Sequence, residues 1–271
     1  MQRLVPIGLY FAVAMFITSS LMMALRPFLL PEPEAAPLSA IHIDSIDNMT
    51  LMQAAPVGSL QGGLVRPLLI PEGPVEWSVL VLVWIATLTY TMRRAGVLHK
   101  PAEGRTFEAL AAPPTNTGEA IAMPIAFLAG ALWPWVIRTN PLIGFLLTVV
   151  MLVAMLSAAM TRLGARRTGP STSLGILAGW ATVVTCAAFA YVIEKNLGSP
   201  QLLAASVALA ICAFTALKVQ LHMGSACAYS GAVILGLLGL AMAAMGSNAL
   251  IALATVLALT VVGLALVRVA S

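Results

Sequence analysis

Apolar residues along this chain come in long unbroken blocks, not in alternation. A half-buried strand would alternate apolar and polar positions, and a surface helix would repeat its apolar positions near every 3.6 residues. Eight blocks instead run over 4–25, 75–92, 119–138, 141–161, 172–193, 200–220, 226–245 and 247–268. A helix needs about 17 to 25 apolar residues to cross a hydrocarbon core. The pattern therefore predicts an all-α fold, a polytopic membrane helical bundle with eight transmembrane helices. In lipid the backbone N–H and C=O groups find no water, so each span satisfies them internally as a helix. The last two blocks are separated only by Gly246 and Ser247. A single straight helix there would be roughly twice the thickness of the hydrocarbon core at 1.5 Å per residue, so a tight hairpin is expected. The first block follows Arg3 like a signal peptide. It is too long for an ordinary signal h-region and "SSLMMALRP" offers no A-x-A cleavage site, so a retained span is expected.

Charges sit between the blocks, and their sides predict an orientation. With the amino terminus cytoplasmic, Arg3, Arg93, Arg94, Lys100, Arg105, Arg162, Arg166, Arg167, Lys218 and Arg268 fall inside. Only Arg26, Arg66, Arg138 and Lys195 fall outside. This is the bias of the positive-inside rule. Both termini are expected in the cytoplasm, and a bacterial cytoplasmic (inner) membrane is the expected location. The chain then divides into a first transmembrane helix at 1–25, an acidic proline-rich external loop at 26–74, and a seven-helix membrane domain at 75–271. The external loop carries Glu32, Glu34, Asp44, Asp47 and Glu72 among its prolines, and Asn48-Met49-Thr50 fits a glycosylation sequon. Its last stretch, "LVRPLLIPEGP" at 64–74, is apolar enough to lie on the membrane or against a partner. Residues 93–118 form a basic cytoplasmic loop, where Asn116 or Thr117 is expected to cap the next helix, with Glu119 near its positive end.

Composition excludes several function classes. The 271 residues are 60% hydrophobic and 9% charged, against about 25% charged in soluble domains. A water-soluble globule is excluded. The formal charge of +4 is not gathered into a basic patch with interleaved aromatics, so the expected partner is the lipid bilayer and not nucleic acid. No ionisable residue falls at mid-span, which argues against a proton-coupled carrier or pump. HExxH, GxSxG, P-loop and acidic metal-pair motifs are all absent, so no enzymatic activity is expected. His42, His99 and His222 fall on both sides of the membrane and cannot share one metal. His222, near the cytoplasmic end of the sixth span, is a candidate axial ligand to a haem or (bacterio)chlorophyll metal; the alternative is an interfacial histidine bonded to water or backbone. Cys186, Cys212 and Cys227 lack any CxxC spacing and read as small buried residues. Gly175 and Gly179 form a GxxxG pattern, Ala204 and Ala208 a small-xxx-small pair, and Gly231, Gly236 and Gly239 a smooth face. These suit bundle packing or a partner surface.

The tryptophans are the candidate chemistry. "GALWPWVIRTNP" at 130–141 places Trp133 and Trp135 around Pro134. Two residues apart, they point about 200° from each other on a helix. One is expected to face the interface and the other the bundle, unless the proline distorts the backbone. Trp77 opens the second span, with Trp84 further in on roughly the same face. Trp180 sits at mid-span beside Gly179 and must find a partner for its N–H or face a cavity.

Four stretches carry a resemblance: "PVEWSVLVLVWIATLTYTM", "GALWPWVIRTNP" with "MLVAMLSAAMTRL", "SLGILAGWATVVTCAAFAYVI", and "CAYSGAVILGLLGLAM". Over residues 75–245 their order resembles the longer, tryptophan-rich relatives of the TspO/MBR (translocator protein) family. The resemblance implies a helical bundle with an apolar cavity and flat hydrophobic ligands, porphyrins and sterols among them. By position it makes Trp133, Trp135, Trp180 and Trp84 the ligand-binding candidates, and a porphyrin, (bacterio)chlorophyll or other apolar molecule the ligand. One expected function is therefore a non-enzymatic, TspO-like binder or sensor of tetrapyrroles. The alternative is an accessory structural subunit of a larger photosynthetic or respiratory membrane complex, joined through the 26–74 loop and the small-residue helix faces. A third reading, a transporter of apolar cargo, has only weak hints of broken helices, such as Pro124.

Overall fold

The structure is a computed structural model and describes residues 4–29, 63–94, 117–164, 172–223, 227–245 and 248–270. The Asn48–Thr50 sequon, His42, His99, the Asn116 cap and most of both long loops lie outside the described residues. Among the described residues the chain forms nine α-helices and one 3-10 turn, with no strand. They are α1 (Leu4–Leu29), the 3-10 turn Gly63–Val65, α2 (Arg66–Leu69), α3 (Pro74–Arg94), α4 (Thr117–Thr139), α5 (Pro141–Gly164), α6 (Thr172–Leu197), α7 (Gln201–Met223), α8 (Cys227–Met245) and α9 (Ala249–Ala270). All but α2 are long and apolar enough to cross a membrane, eight in total. The protein is thus a polytopic helical membrane bundle.

Helix limits follow from local chemistry. Asn140 alone separates α4 from α5: its amide donates to the Val136 carbonyl at 2.8 Å, while its side-chain oxygen accepts from Ile143 N at 3.2 Å. Pro141 at the first helical position needs no partner for an N–H it lacks. Asn248 starts α9 in the same manner, its Oδ1 accepting from Leu250 N at 3.1 Å and Ile251 N at 3.3 Å. That cap breaks the apolar run between Met245 and Ala249, as the hairpin expectation required. At α3, Glu76 Oε2 accepts from Glu72 N at 2.6 Å and Gly73 N at 3.1 Å, a capping arrangement around Pro74. Gly198 and Pro200 stop α6. Pro124 and Pro134 leave α4 helical throughout, so no broken helix forms there.

The bundle is built around α6. Of its apolar window 78% is buried, against 33% for α9. A helix apolar on every side belongs in the centre, and α6 packs against α3, α5, α7 and α8, with α9 covering α7 and α8 outside. The other wing runs from α5 to α4 and then to α1. Close approach of α6 to α8 depends on glycine. A Cβ on Gly179 would overlap the Tyr229 carbonyl oxygen and stand 2.9 Å from Ala232 Cβ. The GxxxG face is therefore used inside the bundle and is not available to a partner, which corrects that part of the partner expectation.

Among the described residues the interior holds several buried hydroxyls. Tyr229 is fully buried and its hydroxyl donates to Thr182 Oγ1 at 3.0 Å, while Thr182 donates to the Ala178 carbonyl at 2.9 Å. Thr185 reaches from α6 to the Thr148 carbonyl of α5 at 3.0 Å. Among the described residues Glu119 is the one buried charged side chain, and it lies at a helix end, accepting from Tyr90 Oη at 3.0 Å. Such internal partners are what makes a polar group tolerable at membrane depth.

One stretch departs from expectation. Of the segment 64–74, expected on the membrane surface or against a partner, Leu64 and Val65 are 3% exposed and Leu69 is 7% exposed. Leu64 wedges among Val183, Cys186, Ala208, Cys212 and Leu237, at the junction of α6, α7 and α8. The groove between those helices offers closer packing than lipid tails can, so the segment belongs to the bundle.

Candidate ligand cavity

Helix ends splay around a cavity of about 700 Å³ on the face that carries Arg138. α1 contributes Arg26, Pro27 and Phe28; α4 contributes Ile137 and Arg138. Val65, Arg66, Leu69 and Ile70 come from the wedged segment, followed by Pro71 and Glu72. Trp77 of α3 and Tyr191 of α6 complete the wall. The wedge sets this geometry: Leu64 anchors the 3-10 turn, and Gly63 supplies the positive φ of +58° that turns the chain above Glu194. The size suits a small organic ligand, since ligand pockets span about 300–1,000 Å³. Its walls mix apolar side chains with polar groups in nearly equal measure, and its charges among the described residues are three arginines and one glutamate. Arg66 Nη2 pairs with Glu72 Oε1 at 2.9 Å. Both side chains are partly exposed, so the pair adds little stability.

The four tryptophans expected to form the site are not gathered in one cavity. Trp133 is 2% exposed and packed in the core, whereas Trp135 is 46% exposed. They point apart, as an undistorted helix through Pro134 dictates. Trp135 Nε1 donates to Ser19 Oγ at 2.7 Å, and Ser19 in turn donates to the Ala131 carbonyl at 2.6 Å. Trp84 Nε1 donates to Ser20 Oγ at 2.9 Å. Trp84 and Trp135 therefore clasp α1 from two sides and act as fasteners. Trp180 meets Phe16 edge-on, with centroids 5.7 Å apart. It borders a separate space of about 20 Å³ with Glu76, Leu80 and Gly236. That is room for one water and not for a tetrapyrrole.

His222 is exposed at the end of α7, with Nδ1 3.2 Å from the Lys218 carbonyl oxygen of its own helix. This matches the interfacial reading of that residue. Among the described residues no cluster of three or more His, Cys, Asp or Glu side chains is placed to hold a metal ion. Cys186 and Cys212 are buried as expected, but Cys227 is exposed at the start of α8.

Sequence reasoning did not select Phe28, Trp77 and Tyr191, or the arginines, as a site. One signal was present. Four cations stood on the side the positive-inside rule disfavours, and three of them, Arg26, Arg66 and Arg138, border this cavity. Compared with known proteins, the chain matches no family model, no curated protein and no solved structure.

Proposed function

We propose that this protein is a non-catalytic integral membrane protein that holds a flat hydrophobic ligand of the tetrapyrrole kind in the cavity on the Arg138 face. The observation that carries the reading is the cavity of about 700 Å³ walled by Phe28, Trp77 and Tyr191. Aromatic side chains offer stacking surfaces to a planar ring, with Leu69, Ile70 and Ile137 beside them. The resemblance of the helical stretches to the TspO/MBR family supports the ligand class, while the ring sits at the helix ends instead of among the mid-span tryptophans. The cation bias supports an orientation with the cavity external and both termini cytoplasmic, and the proposed location is a bacterial inner membrane. The accessory-subunit reading is less favoured. Two features that suggested a partner surface, residues 64–69 and the Gly175–Gly179 face, are occupied within the bundle.

Titration of protoporphyrin into the protein in phosphatidylcholine nanodiscs tests the proposal. Saturable quenching of tryptophan emission is expected, and its largest share disappears in Trp77→Phe but not in Trp133→Phe. Absence of saturable quenching, or its loss in Trp133→Phe alone, defeats the reading.

A further inference from the structure

We infer that the three arginines of the cavity select a ligand bearing an anionic group on its apolar body. The inference rests on the cavity being a ligand site and goes on to name what that site requires of its occupant. Arg26 enters from the last turn of α1, Arg138 from the last turn of α4, and Arg66 from the start of α2. Three elements distant in sequence thus bring like charges to the border of one cavity, an arrangement that an anion held there would offset. Glu72 offsets one of them at 2.9 Å from Arg66. A surplus of two positive charges is left among the described lining residues.

A simpler account exists for part of this arrangement. Arginine in the last turn of a helix complements the negative end of the helix dipole. It covers Arg26 and Arg138 separately, and Arg66, in a helix of a single turn, is held by its pair with Glu72 at 2.9 Å; the dipole does not bring the three together. Nor does it explain why all three border the same space while Lys195, on the same face, does not. The arginines share the lining with Phe28, Leu69, Ile70 and Ile137. Guanidinium groups match carboxylate and phosphate oxygens in paired geometry. The chemistry is therefore an amphiphile: an apolar body against the aromatic wall and a carboxylate or phosphate on the arginines. Ring carboxylates of a tetrapyrrole and the headgroup of an anionic lipid both supply it.

The test compares protoporphyrin, with two free carboxylates, and its dimethyl ester, measured as dissociation constants in phosphatidylcholine nanodiscs. The acid should bind roughly tenfold more tightly, the low end for charge-assisted bonds at a partly exposed site. Arg26→Gln and Arg138→Gln should each shrink that preference, Arg138→Lys should keep part of it through its charge but less than arginine, and Lys195→Gln should leave it unchanged. Adding phosphatidylglycerol identifies the source of the anion. Competition that disappears in the Arg→Gln variants supports the arginine site with a lipid headgroup as occupant. Absence of competition supports it with the tetrapyrrole carboxylates. Equal binding of acid and ester overturns the inference while leaving the cavity reading intact. A loss of preference in Lys195→Gln as large as in Arg138→Gln also overturns it, because the effect would then belong to the whole face. Failure of both porphyrins to bind removes the cavity reading itself.

Discussion

Substitution of Gly179 by alanine should loosen the contact on which the bundle is centred. The added Cβ would overlap the Tyr229 carbonyl oxygen and lie 2.9 Å from Ala232 Cβ. That second distance is ~0.6–1 Å inside the optimum for carbon pairs. The first obstacle is backbone, so no side-chain rotation relieves it and α6 must move away from α8. Overpacking of this kind costs about 1–3 kcal/mol, and a backbone obstacle argues for the upper end. Separation also stretches the Thr182–Tyr229 hydrogen bond, now 3.0 Å, which adds about 0.6 kcal/mol by the average for bonds between membrane helices. Alanine's better helix propensity returns about 1 kcal/mol. The net destabilisation is about 2–2.5 kcal/mol. Gly231→Ala is the matched control, because a Cβ there meets nothing within 4 Å. It should be neutral or stabilising by up to about 1 kcal/mol. Unfolding by sodium dodecyl sulfate in mixed micelles, followed by tryptophan emission, separates the two. If Gly179→Ala unfolds at the wild-type detergent fraction, or Gly231→Ala is equally weakened, the account of α6–α8 packing is wrong.

Other consequences are as specific. Ser19→Ala removes the acceptor of Trp135 Nε1; a double-mutant cycle with Trp135→Phe should give a coupling of about 0.6–1.5 kcal/mol, and a value near zero would mean that Trp135 does not fasten α1. Leu64→Ala should destabilise the bundle by about 2–3 kcal/mol through the void left between α6, α7 and α8. An unchanged unfolding midpoint would return residues 64–69 to the membrane surface. Of the three cysteines, only Cys227 is exposed, so a small maleimide should modify one thiol in the folded protein and three after denaturation, counted by intact mass.

How much of this was legible in the sequence differs by length scale. All eight spans could be read because apolar block length is a strong, local signal, and their ends are written in residues such as Asn140-Pro141 and Asn248. The opposition of Trp133 and Trp135 followed from helical geometry alone. Which of the two faced inward did not, because it depends on α1 supplying Ser19 more than a hundred residues away. Leu64 and Leu69 were misjudged for a related reason. A short apolar stretch is equally suited to a membrane surface and to an interhelical groove, and only the assembled shape of α6, α7 and α8 decides between them. The cavity is built from the ends of separate elements, so no local motif announces it. Its only trace was the placement of Arg26, Arg66 and Arg138 on the disfavoured side.

The claim that a planar ligand occupies the Arg138 face is tested most directly by photoaffinity mapping. A porphyrin carrying a diazirine on a ring substituent, with both carboxylates free, is bound in nanodiscs, illuminated, and located by peptide mass spectrometry. Adducts should fall on peptides containing Phe28, Trp77 or Tyr191, and excess unlabelled protoporphyrin should suppress them. Adducts confined to peptides with Trp133, Trp135 or Trp180, or spread without competition over lipid-facing residues, would contradict the account.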